Sequence, residues 1–304
     1  MASLVSLLSG RDFETRSYSE ELARESFAQL ESVLREIVNK YNFQQFIQTI
    51  KSAGFTQPRL IGSTNALNFA YALFLRLRAE KQLGPGEIRS VVRRWYVMSL
   101  LTGRQSGSFE TVFESDLRRI NDLGVVPYLE EIERGRLTEG FWDVELPSNL
   151  DTTSTRSPYF SIFLAAQVQR NAKGFLSKHV TVAQMLEDGG DIHHLVPKNY
   201  LVKSGIKDKA LYNQIANFAL TETHVNIAIS DTDPSVYVSQ VENQIASGRL
   251  TLGEITTADE LANAFSENAI PTSLSETTAA NYQSFLVERR IAMAKYIREY
   301  YAHL

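Results

Sequence analysis

Apolar side chains return every three or four positions through the first half of this chain, the spacing of a helix face packed on a core. Over Arg11 to Asn42 they fall at Leu22, Phe27, Leu30, Val33, Leu34, Ile37 and Val38, with Glu and Arg between them, and predict one long amphipathic helix. A second helix is predicted from Asn42 to Ala53, stopped by Gly54, and a third from Asn65 to Arg78 through Leu67, Tyr71, Phe74 and Leu75. Gly84-Pro85-Gly86 reads as a turn, because glycine frees φ and proline holds it. Glu87 to Leu101 and Glu110 to Leu123 follow as helices on either side of a polar loop, Gly103 to Ser108. Helical spacing continues to Phe141-Trp142, and nothing in this half reads as strand.

Beyond Pro147 the pattern changes. Pro147 to Ser157 is rich in Ser and Thr and is expected to be an ordered polar loop. It feeds an apolar helix, Pro158 to Gln169, with proline suitably placed in the first turn. Val180 to Glu187, Pro234 to Ser247, Ala258 to Ala269 and Ala279 to Tyr301 carry further helical patterns. The last has Phe285, Leu286, Ile291, Met293, Ile297 and Tyr300 on its apolar positions. Strand character is confined to the segment that carries His193 and His194 and to Phe218 to Leu220, with polar Thr221 to Thr223 as a turn and a helix expected near Lys207 to Ala216. The predicted fold class is mainly α, in two parts: 1–150 all helical, and 151–304 holding the two short strands among flanking helices.

Composition narrows this picture. The 304 residues are 43% hydrophobic and 22% charged, as in a globular protein long enough for two domains. No apolar run approaches a membrane span, and no signal peptide is indicated, so no membrane association is expected. Cysteine is absent, which excludes disulfides and thiolate metal sites and fits a cytoplasmic location. The net charge of −4 means that any nucleic-acid surface must be local. No phosphate-cradling glycine loop occurs, so no nucleoside triphosphate hydrolysis is expected from this chain.

The chemistry concentrates in Asp191-Ile-His-His-Leu-Val-Pro197, which holds two of the five histidines side by side after Gly189-Gly190. On a strand, neighbouring side chains point to opposite faces, so this is not the helix-face pair of a zinc protease. One ring can face a metal while the other faces water or substrate. The bland alternative is a pair of surface or capping histidines. Downstream, Asn217 precedes the apolar run and Asn226 follows nine positions later, with His224 between them.

This constellation of His-His-x-x-Pro, Asn, short strand and second Asn resembles the HNH (His-Me finger) nucleases, whose core is a β-hairpin followed by a helix around one divalent metal. The resemblance implies a ββα-metal core at about 189–229. It makes His194 the general base, Asn217 the residue that ties the hairpin loop and orients the base, and His193 and Asn226 the metal ligands. His224 is an alternative ligand to Asn226. The implied metal is Mg²⁺ or Mn²⁺, with nickel or zinc as alternatives. More loosely, Arg93-Arg-Trp-Tyr96, Thr102-Gly-Arg104, Ser154 to Phe160, Asp191 to Pro197, Asn226 and Pro234 to Tyr237 are similar to the C-terminal half of GmrSD-type restriction proteins. That likeness implies an effector of bacterial restriction or anti-phage defence acting on double-stranded DNA. It further implies a ParB-like nucleotide-hydrolysing domain or partner outside this chain, which is expected to be a C-terminal effector fragment or a stand-alone version of one. The competing expectation is a non-catalytic helical module with a degenerate HNH fold that binds DNA or a partner.

Residues 76–104 carry Arg76, Arg78, Lys81, Arg89, Arg93, Arg94 and Arg104 against Glu80 and Glu87, beside Trp95 and Tyr96. Such a segment can track phosphates. It can equally be a solvated helix face with intrachain ion pairs. Arg89, Arg93, Arg94 and Arg104, together with Arg156 in the Ser/Thr loop and Lys198 after Pro197, are the expected DNA contacts.

Overall fold

The structure is a computed structural model and describes residues 19–104, 106, 107 and 109–304. The architecture is mainly α, with one two-stranded sheet. Helices α1 (Glu20–Ile37), α2 (Lys40–Ser52), α3 (Thr64–Glu80), α4 (Pro85–Leu101), α5 (Phe109–Leu123) and α6 (Val125–Arg136) make up the first half. A π-helical turn, Phe141–Glu145, runs into the short α7 (Leu146–Asn149).

The long first helix expected from Arg11 to Asn42 is two helices within the described residues, and its first part, up to Tyr18, lies outside them. The break is chemical. The Asn39 side chain accepts hydrogen bonds from the backbone N–H groups of Tyr41 and Asn42 and so starts a new helix. Val33, Leu34 and Ile37 are exposed on the helix that precedes it, and Val38 is exposed in the turn between the two. The other helices of this half follow their local signals. Ser63 caps α3, and the Gly84 N–H donates to the Glu87 carboxylate at 2.7 Å while Pro85 takes the first position of α4.

In the second half α8 (Pro158–Gln169) and α9 (Val182–Asp188) precede β1 (Asp191–His194). Gly189 ends α9 at φ +86°, a backbone conformation that a side chain resists. Strand β2 (Phe218–Thr221) pairs antiparallel with β1, in the register His193 opposite Ala219 and His194 opposite Phe218. Helix α12 (Thr223–Ile229) follows β2 directly, after α10 (Lys198–Lys203) and α11 (Lys209–Tyr212) in the strand connection. The helix expected over Lys207 to Ala216 is therefore only the four residues of α11, followed by a 3₁₀ turn at Ile215–Asn217. Asp208 starts α11, but Gln214 is extended and the backbone N–H of Ile215 donates to the Thr152 carbonyl at 2.9 Å. That bond docks the Ser/Thr loop on the strand connection.

Helices α13 (Pro234–Ser247), α14 (Ala258–Glu267) and α15 (Tyr282–Ala302) complete the chain. α15 packs on α7, on α8 and on the 3₁₀ turn before β2, and Tyr300 donates to the Ala53 carbonyl at 2.6 Å. The hydrophobic core is therefore shared across residue 150, and Leu150 is itself fully buried. Ile291, one of the expected apolar positions of α15, is exposed. Arg289 on the same helix is wholly buried; it donates to the carbonyls of Asn268 and Phe218, and burial pushes it down to about 9. No helix among the described residues is long and apolar enough to cross a membrane.

Candidate active site

The two strands and α12 bring together residues that are far apart in sequence. His193 points inward from β1, 2% exposed, while Ile192 beside it is 44% exposed, the alternation of a half-buried strand. Its ring stacks on Phe175 and meets the edge of Tyr237. His193 Nδ1 lies 2.8 Å from Asn226 Oδ1 on α12, and Asn226 Nδ2 donates to the Asp191 carboxylate at 3.1 Å. Since the amide nitrogen is committed to Asp191, Oδ1 is the acceptor and His193 Nδ1 the donor. His193 Nε2 is then a lone pair enclosed without a partner.

His194 occupies the last position of β1. Its ring packs edge-on against Phe218 at 5.0 Å, and Nε2 lies 2.9 Å from Asn213 Oδ1. With Nε2–H donating to that oxygen, Nδ1 keeps its lone pair. Although neighbours on a strand, both imidazoles line one hollow of about 240 Å³, with Pro197, Lys198, Asn199, Asn226 and Ser230. The chain turns at Leu195 to Pro197, immediately after β1, which lets the second ring reach the same space.

Asn217 is fully buried and holds that turn. Its Oδ1 accepts from the Val196 N–H at 2.8 Å, and its Nδ2 donates to the carbonyls of Val196 and Tyr212. It makes no hydrogen bond to His194; Asn213 does. Tyr237 supports the same turn from α13, donating to the Leu195 carbonyl at 2.7 Å. Asn213 carried no sequence signal, because it lies 19 positions from His194 in a segment of no fixed spacing. His224 is largely exposed, 3.8 Å from Glu222, and does not line the hollow.

Among the described residues no cluster of three or more His, Asp or Glu side chains is placed to hold a metal. The donor set is instead one imidazole, one amide oxygen and a nearby carboxylate. Neighbouring ligands of an octahedral ion with bonds of about 2.1 Å sit about 3 Å apart, which the His193–Asn226 separation of 2.8 Å matches. His193 is neutral at pH 7, but the hydrogen bond to Asn226 puts its proton on Nδ1, so coordination from that nitrogen requires the other neutral tautomer, with the proton on Nε2. An imidazole nitrogen and an amide oxygen are donors that a sparse divalent-cation site can use once that hydrogen bond is exchanged for the ion.

Burial, more than any neighbour, pushes His193 down to about 4, partly offset by its bond to Asn226; burial, with a smaller contribution from Lys198, lowers His194 too. A histidine whose folded value lies below its unfolded one stabilises the fold fully above about 6.5, and this is lost as pH falls toward the folded value. The gap for His193 corresponds to roughly 3 kcal/mol. Urea denaturation in EDTA should show stability falling between about pH 6.5 and 4.5. In His193→Asn this slope should flatten. An unchanged slope would place the acid sensitivity elsewhere.

The expected DNA contacts divide. Arg94 is clamped by the Glu133 carboxylate at 2.5 and 3.1 Å; Arg104 is clamped by buried Asp116 and bonds to Tyr128 at 2.6 Å. Arg93 donates to the Leu304 carbonyl at 2.7 Å. Arg89 and Arg156 are exposed, and Lys198 is exposed at the rim of the hollow. Arg94 faces a different hollow, lined by Trp142, Arg298 and Tyr301 among others.

In class, then, this is a β–β–α unit presenting a histidine pair and an asparagine from a helical scaffold. Protein-family models, curated proteins and solved structures were each compared with the chain, and none matches it.

Proposed function

We propose that this chain is a metal-dependent DNA endonuclease or nickase of the HNH type, the effector part of a bacterial restriction or anti-phage system. The observation that carries this reading is the pairing of His193 with Asn226 between β1 and α12, with His194 opening on the same hollow. His194 Nδ1 takes the proton from a water attacking phosphorus, and Asn213 holds the tautomer that makes this possible. The lowered pKa leaves the ring in its base form at neutral pH. His193 and Asn226 would hold the cation, which when bound supplies charge for the phosphate and the leaving oxygen. Asn217 fixes the turn that follows both histidines, and Lys198 meets the phosphate. Sensing and nucleotide hydrolysis belong to a ParB-like domain or partner outside this chain.

Supercoiled plasmid incubated with the protein should become nicked or linear with Mg²⁺ or Mn²⁺ and stay intact with EDTA. Mn²⁺ binding, followed by its spin resonance, should be lost in Asn226→Ala. A folded protein that neither cuts nor binds Mn²⁺ would favour the second reading, a non-catalytic helical DNA- or partner-binding module. That reading draws on the amide contacts to both imidazoles, which occupy one nitrogen of each.

A further inference from the structure

The connection between β1 and β2 carries a charge pattern that neither strand shows. Between Leu195 and Asn213 lie Lys198, Lys203, Lys207 and Lys209 against one acid, Asp208, in a chain whose net charge is −4. Leu201 and Tyr212 are buried, and Tyr200, Val202 and Ile206 are partly buried against the core, so the segment is anchored on its inner side. The four lysines are exposed. Asp208 is committed to the N–H of Ala210 at 2.8 Å, and Lys203 pairs with Asp231. Among the described residues Lys198, Lys207 and Lys209 have no ion-pair partner.

Their placement follows from contacts on either side. Lys198 lines the hollow with both histidines, and its ammonium lies 5.5 Å from the centre of the Tyr212 ring. Tyr212 shares the single turn of α11 with Lys209 and precedes Asn213, which holds His194. Asp231, the partner of Lys203, follows Ser230 on the wall of the hollow. The segment thus lines the hollow at Lys198, is tied near its wall by Lys203 through Asp231, and is tied to its lining by Asn213 through His194, with Lys207 and Lys209 on the stretch between the last two. In α4, by contrast, Arg94 is held by a carboxylate and Arg93 by a backbone carbonyl, and Arg104 just beyond it is held by Asp116.

We propose, on the nuclease reading of this hollow, that the lysines of the strand connection form the surface that holds the DNA backbone, in preference to Arg93, Arg94 and Arg104, which are already held. Free ammonium groups on an anchored segment can each neutralise a phosphate and release its counterions, whereas a guanidinium already paired with a carboxylate must first give up that partner. DNA seated along Lys198, Lys207 and Lys209 has a phosphate at the mouth of the hollow.

The test is fluorescence anisotropy of a labelled DNA duplex in EDTA over a range of salt. The proteins are wild type, the double variant Lys207→Glu/Lys209→Glu, and Arg89→Glu. Each lost phosphate contact lowers the salt slope by roughly 0.9, so the double variant should lose about two contacts and on the order of tenfold in affinity at low salt. Arg89→Glu is the comparison at an exposed arginine that does not line the hollow, and should keep the wild-type slope. Circular dichroism checks folding, and Lys207→Gln/Lys209→Gln replaces the double variant if the reversal unfolds the chain. A double variant that binds as wild type, or a slope that falls only in Arg89→Glu, overturns the assignment. Plasmid nicking by the same proteins separates the two ideas. Lysine-dependent binding without any cutting by wild type removes the nuclease reading and keeps the surface, while cutting unaffected by the lysine reversal removes the surface alone.

Discussion

Replacing His194 by alanine is expected to lower plasmid nicking by roughly 10²–10⁴-fold, the usual cost of losing a general base. The loss should be in chemistry and not in folding. The imidazole bonds only to the Asn213 side chain and packs edge-on against Phe218, while the turn after it is held by Asn217 and Tyr237 without its help. Binding of the duplex in EDTA should therefore stay close to wild type, and so should the urea midpoint at pH 7.5. The pair proposed to hold the metal is the neighbouring His193 with Asn226, so on that proposal Mn²⁺ binding should also persist. A variant that cuts at near the wild-type rate, with metal and DNA bound, would take the base role away from His194. One that has lost DNA binding as well would make His194 a contact residue.

The largest expected effect on stability belongs to a residue without polar chemistry. Gly54 follows α2 at φ +92°, and a Cβ built there lies 1.9 Å from the carbonyl oxygen of Ala165 and 2.6 Å from its carbonyl carbon. Both colliding atoms are backbone in the middle of α8, so no rotamer change relieves the contact. α8 and α2 would have to separate. Tyr300 crosses the same seam to reach the Ala53 carbonyl, and that bond would be strained too. Positive φ adds its own cost for alanine. Gly54→Ala is expected to lose about 4 kcal/mol, a large share of the total of roughly 5–15 kcal/mol typical of a folded domain. Urea denaturation at pH 7.5 measures it directly. A loss below about 1 kcal/mol would mean that the two helices do not meet as closely as described.

What could be read locally was read locally. Pro158 and Ser247 bound one predicted helix start and one predicted helix end without error, since proline in the first turn and Gly248 after the last act on the few residues around them. The strand character of both segments is legible for a similar reason, and their antiparallel pairing, with the helix that follows, brings Asn226 within 2.8 Å of His193. The end of α1 was misread because hydrophobic spacing runs on through Val38, whereas the Asn39 cap is a side-chain hydrogen bond that periodicity does not register.

The arginines show the limit most clearly. By composition, Arg94 and Arg104 look the same as Arg89. Tertiary packing gives Arg94 a carboxylate 39 positions away and Arg104 one 12 positions away, and leaves Arg89 exposed. The site divides in the same way. His193, His194, Asn217 and Asn226 stand out in the sequence through their resemblance to a nuclease motif, and the short elements that carry them have local signals of their own. That Asn213 holds His194, that Asp191 holds Asn226, and that both imidazoles open on one hollow depended on how the strand connection folds back over the hairpin. Hydrogen bonds of this kind join residues 19 to 35 positions apart. Their geometry comes from packing the whole core, and no spacing rule along the chain encodes it.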